Sequence, residues 1–555
     1  MSYVADKNQQ TTAETIPAAL RFPEQAKASV VQSRESAVYY PTSGMHVKSS
    51  ENRNTIFRLS SSSFLDPKTA RLEMRVSVPD YKIRVEDMAT SLISSITLQA
   101  GGVELESIQH VGDQVRLNVY NSCPGEVYRG HFANSMGAWK HVPKKRANIY
   151  HTTGAALTMG GDYKQTQVDS GSASGRLNEI VVGQMYDETS WPMADAENPY
   201  AVDWRGDGKK GYTVAIPLSL ILSFFATEQY IPLSFLGSLD IHINWEQFER
   251  CCVIAAGFNR DGTTGIMTPE LESGTLGTDA LLKDVTLKYY EIHDIVIKTD
   301  LIDLDRSYLA MLGSLISSSA AGLTIPYTSH SNQQVTFTPT AENTLYQSRG
   351  FSYLQKAFFA FRNAKVCSNP YLVKSNYCFG DSFRSFQAEV GSKLYPNAPI
   401  RSSCDAYQHL LIASDQHQSV DQGGLHTYES YNSRPNQFQT NVQTPVDPTQ
   451  AVPLMEPHRA PNQTFCLGMN FEKAQGKHLT DGISLRLSGY SLMTSIGLAT
   501  SAQATVVKAG LDLNNPVPLL KEPNGPLFGE QMQMTSVLRV LKSLVLRSDA
   551  VSVAE

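Results

Sequence analysis

Charge is scarce in this sequence: Asp, Glu, Lys and Arg make up 18% of its 555 residues, against roughly 25% in an average soluble protein. A surface built instead on Ser, Thr, Gln and Asn suits a chain that hides much of itself against neighbours, and suits an ordinary β-protein equally. Positive charge is not concentrated either. The formal net charge is −6, and the one dense basic run, Lys144-Lys145-Arg146, reads as a solvated loop. Coating a nucleic acid requires a basic patch that neutralises phosphates, so neither genome condensation nor sequence-specific nucleic-acid binding is expected. The seven cysteines, Cys123, Cys251, Cys252, Cys367, Cys378, Cys404 and Cys466, are an odd number without a C-x-x-C pair. That pattern excludes a zinc ribbon and argues against a disulfide framework; buried free thiols are expected.

Residues 1–15 are polar and contain no apolar h-region, so no secretory signal peptide is expected. Tyr308–Ile325 and Leu487–Val507 are uncharged over about the length of a membrane span. Both are diluted by Ser, Thr, Gly or Gln and read as buried strands and turns. Enzyme signatures are missing: there is no H-E-x-x-H, no Walker A sequence and no Rossmann glycine fingerprint, and no G-x-S-x-G surrounds Ser60–Ser63. No catalytic residue, metal ligand or cofactor is assigned.

What is present is strand. In Arg71–Val78, Leu72, Met74, Val76 and Val78 alternate with polar residues, the period of a strand with one buried face. Ile96 and Leu98, then Gly101-Gly102, then Val103 and Leu105 read as a hairpin, because paired glycines accept the positive φ of a tight turn. Leu239, Ile241, Ile243 and Trp245 alternate likewise, as do Val285, Leu287 and Tyr289, with a phase slip near Tyr290–Ile292 that predicts a bulge. Val335 and Phe337, Phe386 to Val390, and Ile483 to Leu487 repeat the pattern. The length exceeds one hydrophobic core, and the strands divide into two halves, 51–298 and 299–505, each with a long polar insertion, about 121–210 and about 412–464. Loops of that length usually act outside the core. Residues 1–50 and 506–555 are read as arms. A helix is expected over Glu24–Tyr40 behind Pro23. A basic amphipathic helix is expected around Val537, Leu538, Leu541, Leu544 and Val545.

The stretch from Tyr212 to Phe248 is the most distinctive. A strand ends at Ile216-Pro217-Leu218, an apolar helical turn follows through Phe225, and Ile231-Pro232-Leu233 leads into the strand Leu239–Trp245. Each proline ends a strand and fixes the entry to a turn, and the apolar turn can plug the end of a β-sandwich. This doubled Ile-Pro-Leu resembles the major capsid proteins of double jelly-roll viruses, a group that includes polinton-like viruses, virophages and nucleocytoplasmic large DNA viruses. Phe57 through Leu65-Asp66-Pro67 to Val78 is similar to that family's opening strands. Phe386–Val390 with Gly391 to Pro396 resembles a glycine-to-proline element of the second roll, and Phe465–Phe471 with Asp481–Leu485 its closing strands.

The resemblance spans about residues 51–500 and implies an all-β fold of two tandem eight-stranded jelly rolls, with long loop insertions and short helices at the termini. It implies a major capsid protein whose homotrimers form pseudo-hexameric capsomers of an icosahedral double-stranded DNA virus. The implied partners are further copies, penton and minor capsid proteins and, through the terminal arms, an inner membrane; the implied place is the virion. On this reading, removal of residues 530–555 should spare trimers while impairing shells. A rival reading is a secreted or surface β-sandwich that binds carbohydrate or a receptor, against which the missing signal peptide counts. Arg205-Gly206-Asp207, in a Gly-rich polar loop, is a tripeptide that binds integrins when displayed at a loop tip, although three residues recur readily by chance. Asp203, Asp207 and Gly208 fail as a calcium loop, because Arg205 stands where an oxygen ligand is needed.

Overall fold

The computed structural model describes residues 31–123, 212–254, 288–364, 383–416, 465–498 and 531–554, with internal gaps of up to nine residues, and a few short pieces elsewhere. Among the described residues, eight strands build the two main sheets of the first half, beside several of two or three residues: β1 (Val31–Tyr39), β2 (Asn54–Leu59), β3 (Phe64–Ser77), β4 (Ile93–Ala100), β5 (Val103–Gln109), β6 (Tyr212–Pro217), β7 (Leu239–Trp245) and β8 (Glu291–Leu304). They pair antiparallel in two sheets, ordered β1-β8-β3-β6 and β2-β7-β4-β5. The second half holds β9 (Leu323–Phe337), β10 (Glu342–Gln347), β11 (Leu354–Asn363), β12 (Phe383–Val390), β13 (Lys393–Ile400), β14 (Cys466–Asn470), β15 (Leu492–Leu498) and β16 (Met532–Leu546). Its sheets run β9-β16-β11-β14 and β10-β15-β12-β13, so adding eight to every strand of the first half reproduces the second. Two four-stranded sheets wrapped in this order are a jelly roll. The chain is all-β, with two of them in tandem.

The alternation seen in sequence has its cause in the two sheet faces. Leu72, Met74 and Val76 of β3 and Leu239, Ile241, Ile243 and Trp245 of β7 are all buried between the first two sheets. Gly101 and Gly102 make the β4–β5 turn at φ +55 and +83, and Gly391 makes the β12–β13 turn at φ +64, where a side chain would be strained. The bulge in β8 lies beyond the expected Tyr290–Ile292: pairing with β3 is regular from Glu291 to His293, and the register slips between His293 and Val296, with Asp294 at φ +54.

Among the described residues, three helices longer than a single turn connect the strands: α1 (Val111–Ser122) after β5, α2 (Arg306–Ser318) between the two rolls, and α3 (Ser403–Ala413) after β13. The two polar insertions therefore occupy equivalent places in the chain order, each between the helix that follows the fourth and fifth strands of its roll and the sixth strand, α1 to β6 and α3 to β14. Nearly all of both insertions lies outside the described residues, as do Arg205, Gly206 and Asp207.

Both terminal helices expected from sequence are corrected. Within Glu24–Tyr40, residues 31–39 form strand β1, which pairs with β8 from Val31 to Tyr39; residues 24–30 lie outside the described set. Pairing overrides local helix propensity here. β1 is a sheet edge, so it carries no clear apolar period, and it is held by side chains: Arg34 contacts Asp66 at 2.8 Å and Asp300 at 2.8 Å, and the Ser33 hydroxyl donates to Asp303 at 2.8 Å. Around Val537–Val545 the chain is β16, a central strand flanked by β9 and β11. Met534, Thr535, Ser536, Val537 and Leu538 are consecutively buried, and a strand covered on both faces loses its period of two, which left spacings that mimic a helix. Of Asp481–Leu485, Asp481 lies outside the described residues; Ile483 bridges Leu354 and the Leu485 N–H donates to the Phe351 carbonyl at 2.6 Å, while the last two strands of the second roll's sheets are β15 and β16.

Candidate functional site

The two rolls share their cores. Ile325 and Tyr327 of β9 and Leu544 and Leu546 of β16 pack into the first roll's core, while Leu117 and Tyr120 of α1 pack into the second's. Between these apolar contacts runs a polar seam, built by β5, α1 and the turn after β6 on one side and by β9, β11 and β16 on the other.

The doubled Ile-Pro-Leu leads into this seam. Ile216, Leu218, Ile231 and Leu233 are fully buried, and Pro217 and Pro232 stand at the N-caps of two short helical turns, Leu218–Ile221 and Leu233–Leu236. Both prolines pair with β3, Pro217 opposite Arg71 and Pro232 opposite Phe64, so each serves at the sheet edge, where a missing N–H is tolerated. The first turn delivers Ser223 and Phe224 to the second roll: the Ser223 hydroxyl lies 2.6 Å from His330 Nδ1, and the Phe224 ring meets Tyr327 edge-on at 5.1 Å. Gly391 and Pro396 lie elsewhere, at the β12–β13 hairpin, where the Tyr395–Pro396 peptide is cis and Gln387 Nε2 donates to the Pro396 carbonyl at 2.9 Å.

At the centre of the seam Glu106 is fully buried. Its carboxyl accepts the Phe224 N–H at 3.2 Å from the first roll and the His330 N–H at 3.3 Å from the second. Burial pushes its pKa up to about 7, with those backbone donors opposing the shift. Burial lowers His330 to about 3, and Arg539 adds to the effect. Alongside, the Tyr327 hydroxyl donates to the Leu105 carbonyl at 2.8 Å and Asn332 Nδ2 to the Gln109 carbonyl at 2.7 Å. At the far end Asp113 of α1 accepts from Arg116 at 3.1 Å and from Gln334 at 3.0 Å, and is also bound by Arg362 of β11. Burial alone would raise the Asp113 carboxyl; the Arg362 and Arg116 guanidiniums overcome it and hold the group below the usual carboxylate range. A cavity of about 70 Å³ adjoins this pair, lined by Asp113, Arg116, Glu246 and Arg250 of the first roll and Gln334, Arg362 and Gln533 of the second, among others.

Such an arrangement fixes one relative placement of the two sandwiches, because each buried charge finds its partners only there. The two titrations in the seam have opposite signs. Glu106 is protonated in the fold and ionised in the unfolded chain between pH 4.5 and about 7, so its contribution is complete below 4.5 and is lost as pH rises through 7. His330 is neutral in the fold and charged in the unfolded chain between about pH 3 and 6.5, so its contribution is complete above 6.5 and is lost as pH falls. Between 4.5 and 6.5 the slopes cancel. In Glu106→Gln only the His330 slope remains, and the variant's unfolding free energy relative to wild type should climb by about 3 kcal/mol from pH 4.5 to 7. Denaturant titrations at several pH values check this; a difference independent of pH would contradict it.

Glu106, His330, Asp113 and Arg362 were not singled out by the sequence. Glu106 sits in a strand that also carries Glu104, Ser107 and Gln109, and its backbone partners Phe224 and His330 lie 118 and 224 residues away.

No family model matches this sequence, and no curated protein matches it. Solved structures do. The Faustovirus major capsid protein aligns with a TM-score of 0.50 at 9% identity, over 95% of this chain and 92% of that one. A chain of the PBCV-1 virus capsid gives 0.49 at 9% identity over 96% and 99%, and the mavirus major capsid protein 0.46 at 9% over 98% and 95%. The likeness to the Faustovirus protein concerns the fold, which is the double jelly roll in both.

Proposed function

We propose that this chain is the major capsid protein of a tailless icosahedral double-stranded DNA virus, a structural component of the virion whose work is assembly rather than catalysis. The observation that carries the reading is the pair of topologically identical sandwiches in one chain, locked by a buried charged seam. Three copies of such a pair supply six similar sandwiches, the number needed for a six-cornered tile. A rigid seam matters for that purpose, since a hinge between the rolls would blur the outline.

The equivalent position of the two insertions supports a further part of the reading. Both would project from the same end of their sandwiches and form the outward tower of the capsomer. Exposed apolar side chains such as Met311 and Leu315 of α2 are candidates for the contact between copies, with interfaces of roughly 2,000–5,000 Å² as in permanent assemblies. Penton and minor capsid proteins would be the other partners. The terminal amphipathic helix that suggested an inner membrane is a sheet strand, and among the described residues no helix is long and apolar enough to cross a membrane. A receptor-binding monomer is not favoured.

Negative-stain imaging of the purified full chain tests the proposal. Class averages should show hexagonal outlines with threefold symmetry. Isolated two-lobed particles would refute it.

A further inference from the structure

We propose that His46, Glu291 and His293 form a binding site for a divalent transition-metal ion of the zinc type. The three side chains come from the β1–β2 connection and the start of β8. Val47 and Lys48 form a short strand that pairs antiparallel with Ile292 and Glu291. Continuing that register sets His46 opposite His293. Residues two apart in a strand share a face, so Glu291 and His293 point to one side, and His46 reaches the same side from across the ladder.

The distances agree with this placement. Glu291 Oε2 lies 3.3 Å from His293 Nε2 and 3.8 Å from His46 Nε2, and one ligand atom from each of the three groups falls within 4.8 Å of the other two. Zinc–nitrogen and zinc–oxygen bonds of about 2.0–2.2 Å put tetrahedral ligand atoms roughly 3.3–3.5 Å apart. One edge of the triangle already has that length, and half-exposed His46 must turn out of its stack on His293 to close the rest. The two imidazole rings are stacked, 4.5 Å between centroids and 11° from parallel. Lys48 lies 4.0 Å from Glu291 Oε1 and leaves Oε2 to face the imidazoles, and Arg75, opposite His293 in the ladder, is paired with Asp294 at 3.4 Å. The Ser77 hydroxyl lies 3.2 Å from His293 Nε2, the nitrogen that faces Glu291, and would give up that contact when the nitrogen takes an ion.

The backbone is specialised at the same place. The β8 bulge begins at His293, Asp294 adopts φ +54, and the Ile295 N–H reaches the Met45 carbonyl at 3.5 Å. Bulges re-aim side chains, and left-handed residues other than glycine are retained where the surroundings require them. Two imidazoles and one carboxylate suit zinc and its neighbours in the transition series, and not calcium or magnesium, which take oxygen ligands. A bound ion would clamp the β1–β2 connection to β8. It would do so at the sheet end where β6 starts, since Val76 pairs with both Ile292 and Tyr212.

The test is independent of the capsid reading. Cobalt(II) and zinc are titrated into the full-length chain after treatment with chelator. Wild type should take up one ion per chain at this site, with the intense visible d–d bands of four-coordinate cobalt and a zinc-dependent rise in thermal midpoint. His46→Ala changes a half-exposed side chain, so its midpoint in chelator should match wild type while cobalt and zinc affinity falls at least tenfold. Glu291→Gln should show the same loss. The inference is overturned if wild type gives no four-coordinate spectrum, or if both variants bind as wild type does.

Discussion

A chain that stops at residue 530 should fail to build its second sandwich. The truncation removes β16, which lies between β9 and β11 and pairs with β9 over all fifteen residues from Leu323 to Phe337. Met532, Met534, Val537, Leu538, Val540, Leu544 and Leu546 are buried there. At about 1.5–3 kcal/mol for each large apolar side chain, their loss amounts to roughly 10–20 kcal/mol, as much as the whole stability of a typical domain. Leu544 and Leu546 also belong to the first roll's core, so that roll should be loosened where it faces the seam. Hydrogen exchange should show protection lost across β9 and β11, and the protein should aggregate through the bared strand edges. A terminal helical arm predicts the opposite outcome, an intact subunit defective only in shell formation. Unchanged protection in the truncated chain would restore the arm and remove β16 from the sheet.

The second large effect is expected from Asp113→Ala. Arg116 and Arg362 both bind this carboxylate inside the seam, and both are themselves buried. Deleting the shared carboxylate takes the counter-charge from two buried guanidiniums, and breaking a buried pair costs about 3–5 kcal/mol. The loss should show as a lower denaturation midpoint. Because Arg362 belongs to the second roll and Asp113 to the first, the seam should also open, which limited proteolysis between the rolls would detect. Replacing all three with apolar residues of similar volume should recover much of the stability. A fall below about 1 kcal/mol for Asp113→Ala would mean that solvent already reaches the pair through the adjoining cavity.

Much of the architecture could be read before the structure was known, and the reason is physical. β3 and β7 each bury one face, so Leu72 to Val76 and Leu239 to Trp245 carry an unmistakable period of two. Gly101-Gly102 marks its hairpin because the turn needs positive φ twice. Strands without that asymmetry escaped. β1 is an edge held by Arg34 and Ser33 rather than by apolar alternation, and β16 is covered on both faces from Met534 to Leu538. These are the first strand of the first roll and the last of the second, so Val31–Tyr39 and Met532–Leu546, which read from sequence as parts of arms, belong to the sheets.

The seam was legible only in part. The doubled Ile-Pro-Leu stood out because two prolines interrupt two strands, and its apolar turn was expected to plug a sandwich end. The structure shows that turn also carrying Ser223 and Phe224 to His330 and Tyr327. Glu106, Asp113 and Arg362 carry no local signature, since a charge in a strand reads as solvated until its partners across the fold are known. The same holds for His46 and His293, brought together by a ladder that joins residues 47 and 292.

Multi-angle light scattering of the purified full chain, at micromolar concentration and near-physiological salt, addresses the proposed assembly most directly. The mass should be three times the 61.1 kDa of one chain and should hold on dilution. A particle that stays at 61.1 kDa across the same range would contradict it.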